Sequence, residues 1–280
     1  MVDLTNISEL KRILEENGFS FSKQFGQNFI VDPTICPRIA ENCGDYVLEI
    51  GAGAGVLTSE LAKVAKKVVS LEVDTRLIPV LDTTLKDFDN VKIINADVMK
   101  VDLAKLIADE FGDSRICVCA NLPYYITSPI IMMLLEENLP IDSITVMVQR
   151  EAADRLCAEL GTREVGAVTV AVRYYSEPKK LFDVSKNSFM PAPKVDSAVI
   201  RMDLRKNTAL TEEEQRRFFK IVRAAFCQRR KTLLNSLSNG LSISKSEAGA
   251  LLDKADIPQN ARAEQLTMED FLHLCKAYGC

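Results

Sequence analysis

Between residues 46 and 148 five short apolar runs recur, at 46–50, 68–73, 91–95, 116–120 and 143–148. Helical patterns separate most of them, at 56–65, 76–85, 104–111 and 129–137. This alternation leaves few options. Consecutive strands pack side by side in parallel, and the helices between them cover the faces of the sheet. The sequence therefore predicts an α/β fold built on a doubly wound sheet.

Before that block, residues 6–17 read as an amphipathic helix with Leu10, Ile13 and Leu14 on one face and Gly18 as its stop signal. A polar stretch, 20–32, follows it. After the block, a helix is predicted over 151–160, then two β-rich runs at 167–174 and 195–204. Residues 206–211 read as a polar linker. Beyond it the pattern is helical, at 212–227, 231–237, 245–252 and 268–278. The expected organisation is a sheet domain over 1–205 and a small helical domain over 206–280.

With 47% hydrophobic and 26% charged residues, the chain can bury a core, which argues against wholesale disorder. No run approaches the roughly 20 apolar residues of a membrane span. The first thirty residues, with Asp3, Glu9, Glu15 and Glu16, lack the profile of a secretory signal. A cytoplasmic protein is expected. Eight cysteines are scattered without a C-x-x-C pair, and His273 is the one histidine, so no metal site is expected. Cys117 and Cys119 fall within an apolar run and read as buried free thiols.

The first strand runs directly into Gly51-Ala-Gly53-Ala-Gly55 and then a helix. Glycines there let a ligand approach the backbone, although a turn of purely structural purpose fits as well. The spacing E-x-G-x-G-x-G differs from the G-x-G-x-x-G of nicotinamide enzymes. It suits a cofactor with no phosphate to cradle. Glu72, at the end of the next strand, can accept both ribose hydroxyl hydrogens. Asp97, after the third, can bind an adenine amino group. The competing reading makes both acids solvated strand ends.

After the fourth strand comes Asn121-Leu122-Pro123-Tyr124. An adenine N6 amine is a poor nucleophile because its lone pair is delocalised into the ring. The Asn121 side-chain carbonyl and the Leu122 backbone carbonyl can accept its two hydrogens, which favours a pyramidal nitrogen aimed at a sulfonium methyl. Pro123 fixes the turn, and Tyr124 offers a stacking face for the base.

Here the chain resembles a known family, the ribosomal RNA adenine dimethyltransferases, specifically the KsgA-type small-subunit enzymes. The likeness covers nearly the whole chain. It rests on FGQNFI at 25–30, EIGAGAG at 49–55, LEVD at 71–74, NAD at 95–97 and NLPYYITSP at 121–129. FMPAPKVDS at 189–197, RAAFCQRRKTL at 223–233 and RAEQLT at 262–267 extend it. The resemblance implies a Rossmann-like class I methyltransferase fold. It also implies S-adenosylmethionine as cofactor, and two methyl transfers to each of two adjacent adenines in a hairpin loop near the 3′ end of small-subunit (16S) rRNA. A role in small-subunit biogenesis and a monomeric state are expected with it. The implied cofactor contacts are Gln27, Asn28, Ile30, Gly51, Gly53, Glu72, Asp97 and Asn121. The implied catalytic set is Asn121, Leu122, Pro123, Tyr124 and Phe189, the last facing the target base opposite Tyr124. Two positions depart from many members: Ala52 stands where proline is common, and Tyr125 where some carry asparagine. Related large-subunit enzymes usually have isoleucine after the asparagine, so Leu122 favours the small-subunit branch.

The formal charge of −4 is awkward for an RNA binder. Beyond residue 206 the chain carries 11 Lys and Arg against 9 Asp and Glu, which leaves that part at +2 and the rest at −6. Residues 216–231 hold seven basic residues and no acid. On a continuous helix, Arg216, Lys220, Arg223 and Arg230 would fall within an arc of roughly 80°, with Lys231 next to them. Such runs are usually solvated faces. The family likeness favours phosphate contacts here. Alternatives are an adenine methyltransferase acting on large-subunit rRNA or DNA, and an assembly factor that works mainly by binding.

Overall fold

The structure is a computed structural model that describes residues 2–20, 27–206, 210–228 and 230–279. Phe25 and Gly26 of the first motif, residues 207–209 of the linker, Arg229 and Cys280 lie outside the described residues.

The chain opens with α1 (Ile7–Glu16), β1 (Phe29–Ile30), α2 (Ile35–Ala40) and β2 (Tyr46–Ile50). Alternation continues through α3 (Val56–Val64), β3 (Lys67–Glu72), α4 (Ile78–Thr84) and β4 (Val91–Asn95). Next come α5 (Leu103–Phe111), β5 (Ile116–Asn121), α6 (Thr127–Glu136) and β6 (Ile141–Gln149). Then follow α7 (Arg150–Leu156), α8 (Ala167–Tyr175), β7 (Ser176–Val184), β8 (Phe189–Met190) and β9 (Ser197–Leu204). The last helices are α9 (Glu212–Phe226), α10 (Leu233–Leu241), α11 (Lys245–Lys254) and α12 (Met268–Ala277).

Two compact units result. One comprises Met1–Ala153 and Lys179–Leu204; the other comprises Asp154–Pro178 and Arg205–Cys280. In the first, a seven-stranded sheet has the order β4-β3-β2-β5-β6-β9-β7. The five strands from β2 to β6 in chain order pair in parallel, and β9 runs antiparallel to β6. The chain winds outward from β2 to β4, then resumes on the other side of β2 at β5. The gap beyond the carboxyl ends of β2 and β5 is thus the switch point at which such sheets bind ligands. Val47–Ile50 and Ile116–Ala120 are buried throughout, as central parallel strands require. The expected α/β sheet is the one observed.

One expected strand is absent, and one strand that was not expected is present. Residues 167–174 form helix α8 rather than a strand. Their β-branched content favours a strand, but Thr169, Val170, Ala171, Val172 and Tyr174 are all buried in the helix. Tyr174 lies 5.1 Å from Phe218 and 5.4 Å from Phe219 of α9, ring centroid to centroid. Packing of the second unit overrides propensity. Strand β7, by contrast, hides from pattern reading: Pro178 and its charged residues suit only a sheet edge, which is where it lies.

Beneath the glycine turn lies a buried acid. Glu49 on β2 is fully buried, and the Thr58 hydroxyl of α3 donates to its Oε2 at 2.7 Å. Its Oε1 has no partner among the described residues. Burial pushes this carboxyl from an ordinary 4.5 up to about 7, the nearby Ser70 hydroxyl and the Thr58 bond opposing and the Glu72 charge adding. A folded pKa above the unfolded one means that the native state holds the proton longer. Stability from this group is full below pH 4.5 and is lost as pH rises to about 7. Glu49→Gln should remove that slope, gaining on wild type by on the order of 2–3 kcal/mol between pH 5 and 8. Denaturant melts of both proteins at the two pH values check it; parallel pH dependences would show that the acid is ionised throughout.

Candidate active site

A cleft of about 940 Å³, part of it open solvent, lies beyond the strand ends of the first unit. Register sets what faces it. Ile50 pairs with Leu71 and with Ala120, and Glu72 pairs with Asn95. Gly51, Glu72 and Asn121 therefore reach the same edge, and all three line the cleft. A two-stranded ladder supplies the opposite wall. Ile30 of β1 pairs with Phe189 of β8, and the Val31 N–H donates to the Ser188 carbonyl at 2.9 Å. This pairing carries Gln27, Asn28 and Ile30 to the cleft together with Phe189.

The glycine turn closes around one carboxylate. Glu72 Oε2 accepts the Gly53 N–H at 2.8 Å, and its Oε1 accepts the Asp74 N–H at 2.8 Å. Burial raises the carboxyl above its usual range, against the pull of these amides. Gly53 has φ +60°, and a Cβ there would meet the Phe29 ring at 3.3 Å. At Gly55, φ +88°, a Cβ would lie 2.9 Å from Thr84 Oγ1. Neither position tolerates a side chain without strain.

The Asn121 loop is tied at both ends. Asn121 Nδ2 donates to the Asn28 carbonyl at 3.3 Å, and a backbone carbonyl can only accept, so the amide oxygen is left as an acceptor. The Leu122 N–H donates to the Met147 carbonyl at 3.2 Å, and the Leu122 side chain is buried. Pro123 accepts from the Ile126 N–H at 3.1 Å, closing a turn with Tyr124 and Tyr125 at its centre. The Tyr124 hydroxyl lies 2.8 Å from Ser197 Oγ, which fixes a half-buried ring. Phe189 is buried and borders the same cleft.

Three residues that the sequence did not single out brace this wall. Gln27 Nε2 donates to Asp74 Oδ2 at 2.8 Å, and Arg76 holds both Asp74 oxygens at 2.8 and 2.6 Å. The Arg76 bond holds the Asp74 carboxyl below its usual range. Arg76 also reaches the Ser20 carbonyl at 3.4 Å. Ser197 is the third. Asp74 and Ser197 stand inside quoted motifs, but only the fold gives them partners. Asp97 is the exception among the expected contacts: it does not line the cleft, but caps Met99 N–H at 3.0 Å and pairs with Lys100 at 3.4 Å.

The basic run belongs to the second unit and is less uniform than its sequence. Helix α9 ends at Phe226, so Arg230 and Lys231 sit in the following turn and the helical arc cannot include Arg230. Arg216 pairs with Glu212 at 3.7 Å, and Lys220 reaches the Tyr278 hydroxyl at 3.3 Å. Arg223, Arg230 and Lys231 are exposed. Among the described residues no cluster of His, Cys, Asp and Glu could hold a metal, and no helix is long and apolar enough to cross a membrane.

Comparison with known proteins agrees with this geometry. The chain is 46% identical to a ribosomal RNA small subunit methyltransferase A of Bacillus pumilus, over 97% of the chain and 96% of the relative. It is 47% identical to the protein of the same name from Geobacillus thermodenitrificans, over 98% and 97%. A dimethyladenosine transferase from Plasmodium falciparum superposes with a TM-score of 0.71 at 26% identity, covering 88% of this chain and 95% of that one. The 23S rRNA methyltransferase ErmE gives 0.67 at 28%, covering 89% and 99%. The profile described as Ribosomal RNA adenine dimethylase matches residues 18–279, and the chain belongs to that family.

Proposed function

We propose that this enzyme dimethylates the N6 amines of two adjacent adenines in the 3′-terminal hairpin loop of small-subunit rRNA, with S-adenosylmethionine as methyl donor. The observation that carries it is the Asn121 carboxamide, anchored through its nitrogen to Asn28 with its oxygen left as an acceptor, in a cleft that Tyr124 and Phe189 also line. Support for the small-subunit substrate comes from relatives of that name at 46–47% identity, against 28% for the 23S enzyme.

The cleft fits the cofactor. Glu72 offers a buried carboxylate at a strand end, Gly53 has no room for a side chain, and Gln27 Oε1 is buried without a partner among the described residues. Glu72, Gln27, Asn28, Ile30 and the backbone at Gly51 and Gly53 would hold it, whereas Asp97 lies outside the cleft lining. Bound S-adenosylmethionine supplies a methyl group made electrophilic by its sulfonium.

The protein's own groups handle the amine. The Asn121 oxygen and the Leu122 carbonyl accept its two hydrogens, which favours a pyramidal nitrogen whose lone pair is withdrawn from conjugation with the ring. Both interactions strengthen as positive charge grows on nitrogen, so they favour the transition state over the ground state. The proton departs after attack. One hydrogen remains on the monomethylated amine, so one acceptor still orients the second transfer. Tyr124 and Phe189 hold the base, which must leave its stack to enter. In the second unit, Arg223, Arg230 and Lys231 supply phosphate contacts that add affinity but no base selectivity, with Arg216 and Lys220 contributing once released from their present partners.

Three measurements test this reading. Asn121→Ala should lower single-turnover methyl transfer to unmethylated small subunits by about 10²–10³ at saturating cofactor, by analogy with loss of an oxyanion-hole donor; a rate within threefold of wild type would make Asn121 a turn residue only. Glu72→Ala should weaken S-adenosylmethionine binding by on the order of 3 kcal/mol, read by calorimetry, and unchanged affinity removes Glu72 from the cofactor site. The double change Arg223→Ala with Arg230→Ala should flatten the log–log salt slope of small-subunit binding by about one for each phosphate that is no longer neutralised. A wild-type slope would leave these arginines as a solvated face.

A further inference from the structure

Tyr125 is the most exposed large apolar side chain among the described residues, at 64%, and it borders the cleft. Single exposed aromatics are ordinary on a protein surface; its position is not. Tyr124 and Tyr125 are the central pair of the Pro123–Ile126 turn, which the Thr127 hydroxyl also secures by donating to the Pro123 carbonyl at 3.3 Å. The two rings have opposite fates. Tyr124 is half-buried and held by Ser197, whereas Tyr125 is carried on the same short turn with its ring in solvent.

We propose that Tyr125 forms a second base subsite at the mouth of the cleft, where it stacks on the nucleobase next in the strand to the target adenine. This rests on the reading that the Asn121–Tyr124 loop receives the target base. Extruding one base strips a stacking partner from its neighbour, which then presents a bare π-face to water. An aromatic ring one residue from the pocket replaces that partner without reading the base edge, as stacking platforms do for single strands. For one of the two adjacent adenines the neighbour is the other adenine, a purine, the base class with the largest face. Whichever adenine enters the pocket, the ring outside meets a base from the strand that leads into it.

The test uses the full chain, unmethylated small subunits and saturating S-adenosylmethionine. Tyr125→Ala and Tyr125→Leu should each raise KM for the subunits about tenfold, the range of one base–aromatic stack, with kcat changing less than threefold. Tyr125→Phe should stay within twofold of wild type on both. S-adenosylmethionine affinity, measured by calorimetry, should hold in all three. A wild-type KM in Tyr125→Ala overturns the subsite, and so does full function in Tyr125→Leu, which would mean apolar cover rather than stacking. Weakened cofactor affinity would assign the ring to the methyl donor instead. Asn121→Ala run in parallel separates the two layers: if it loses transfer while Tyr125→Ala keeps its KM, the subsite alone fails, and if Asn121→Ala remains active the reading of the whole loop fails with it.

Discussion

The cleft depends on where three parallel strands stop. Pairing of Ile50 with both Leu71 and Ala120 sets Gly51, just beyond β2, level with Glu72 and Asn121, the last residues of β3 and β5. A slip of one residue in either ladder would turn every side chain of that strand to the other face. Glu72 would then miss the Gly53 amide, and Asn121 would miss the Asn28 carbonyl. The continuous burial of these strands makes such a slip expensive, so the central core is also what aligns the chemistry.

Upon that frame the polar groups are used economically. Glu72 spans the amides of Gly53 and Asp74, Asp74 passes the restraint to Gln27 and Arg76, and Asn121 ties β5 to the segment before β1. The bonds of Glu72 and Asn121 join strand ends to loops, and those of Asp74 join one loop to another. The loops bring glycine or amide groups that have no fixed position of their own, and the strand ends give them one. Side chains restrained in this way need little reorganisation when charge develops beside them.

Local pattern revealed much of this and missed the rest for identifiable reasons. Strands at 46–50 and 91–95 have the bounds that their apolar runs predict, although β2 is buried in the middle of the sheet and β4 lies part-exposed at its edge. Residues 167–174 misled because β-branched side chains are compatible with a helix once Tyr174 has Phe218 and Phe219 to pack against. That Glu72 and Asn121 stand together at one edge of the sheet was legible from strand–turn spacing. The Tyr124–Ser197 and Gln27–Asp74 bonds were not, since they span 73 and 47 residues and no local period encodes them. Asp97 was legible as an acid at a strand end, but its engagement with Lys100 was not. Likewise the basic run showed its charge in sequence and hid the helix end that separates Arg230 from Arg223.

The short ladder between β1 and β8 has a consequence for synthesis of the chain. Its two partners, Ile30 and Phe189, enter the fold at opposite ends of the first unit's sequence. On the ribosome the glycine turn, Glu72 and Asn121 can emerge and pack long before Phe189 does, since chains grow at about 5–20 residues per second and domains fold as units. Until then the wall that carries Asn28 has no strand to pair with. A nascent chain arrested before residue 189 thus holds most of the residues of the cleft but neither Phe189 nor the strand that pairs with β1.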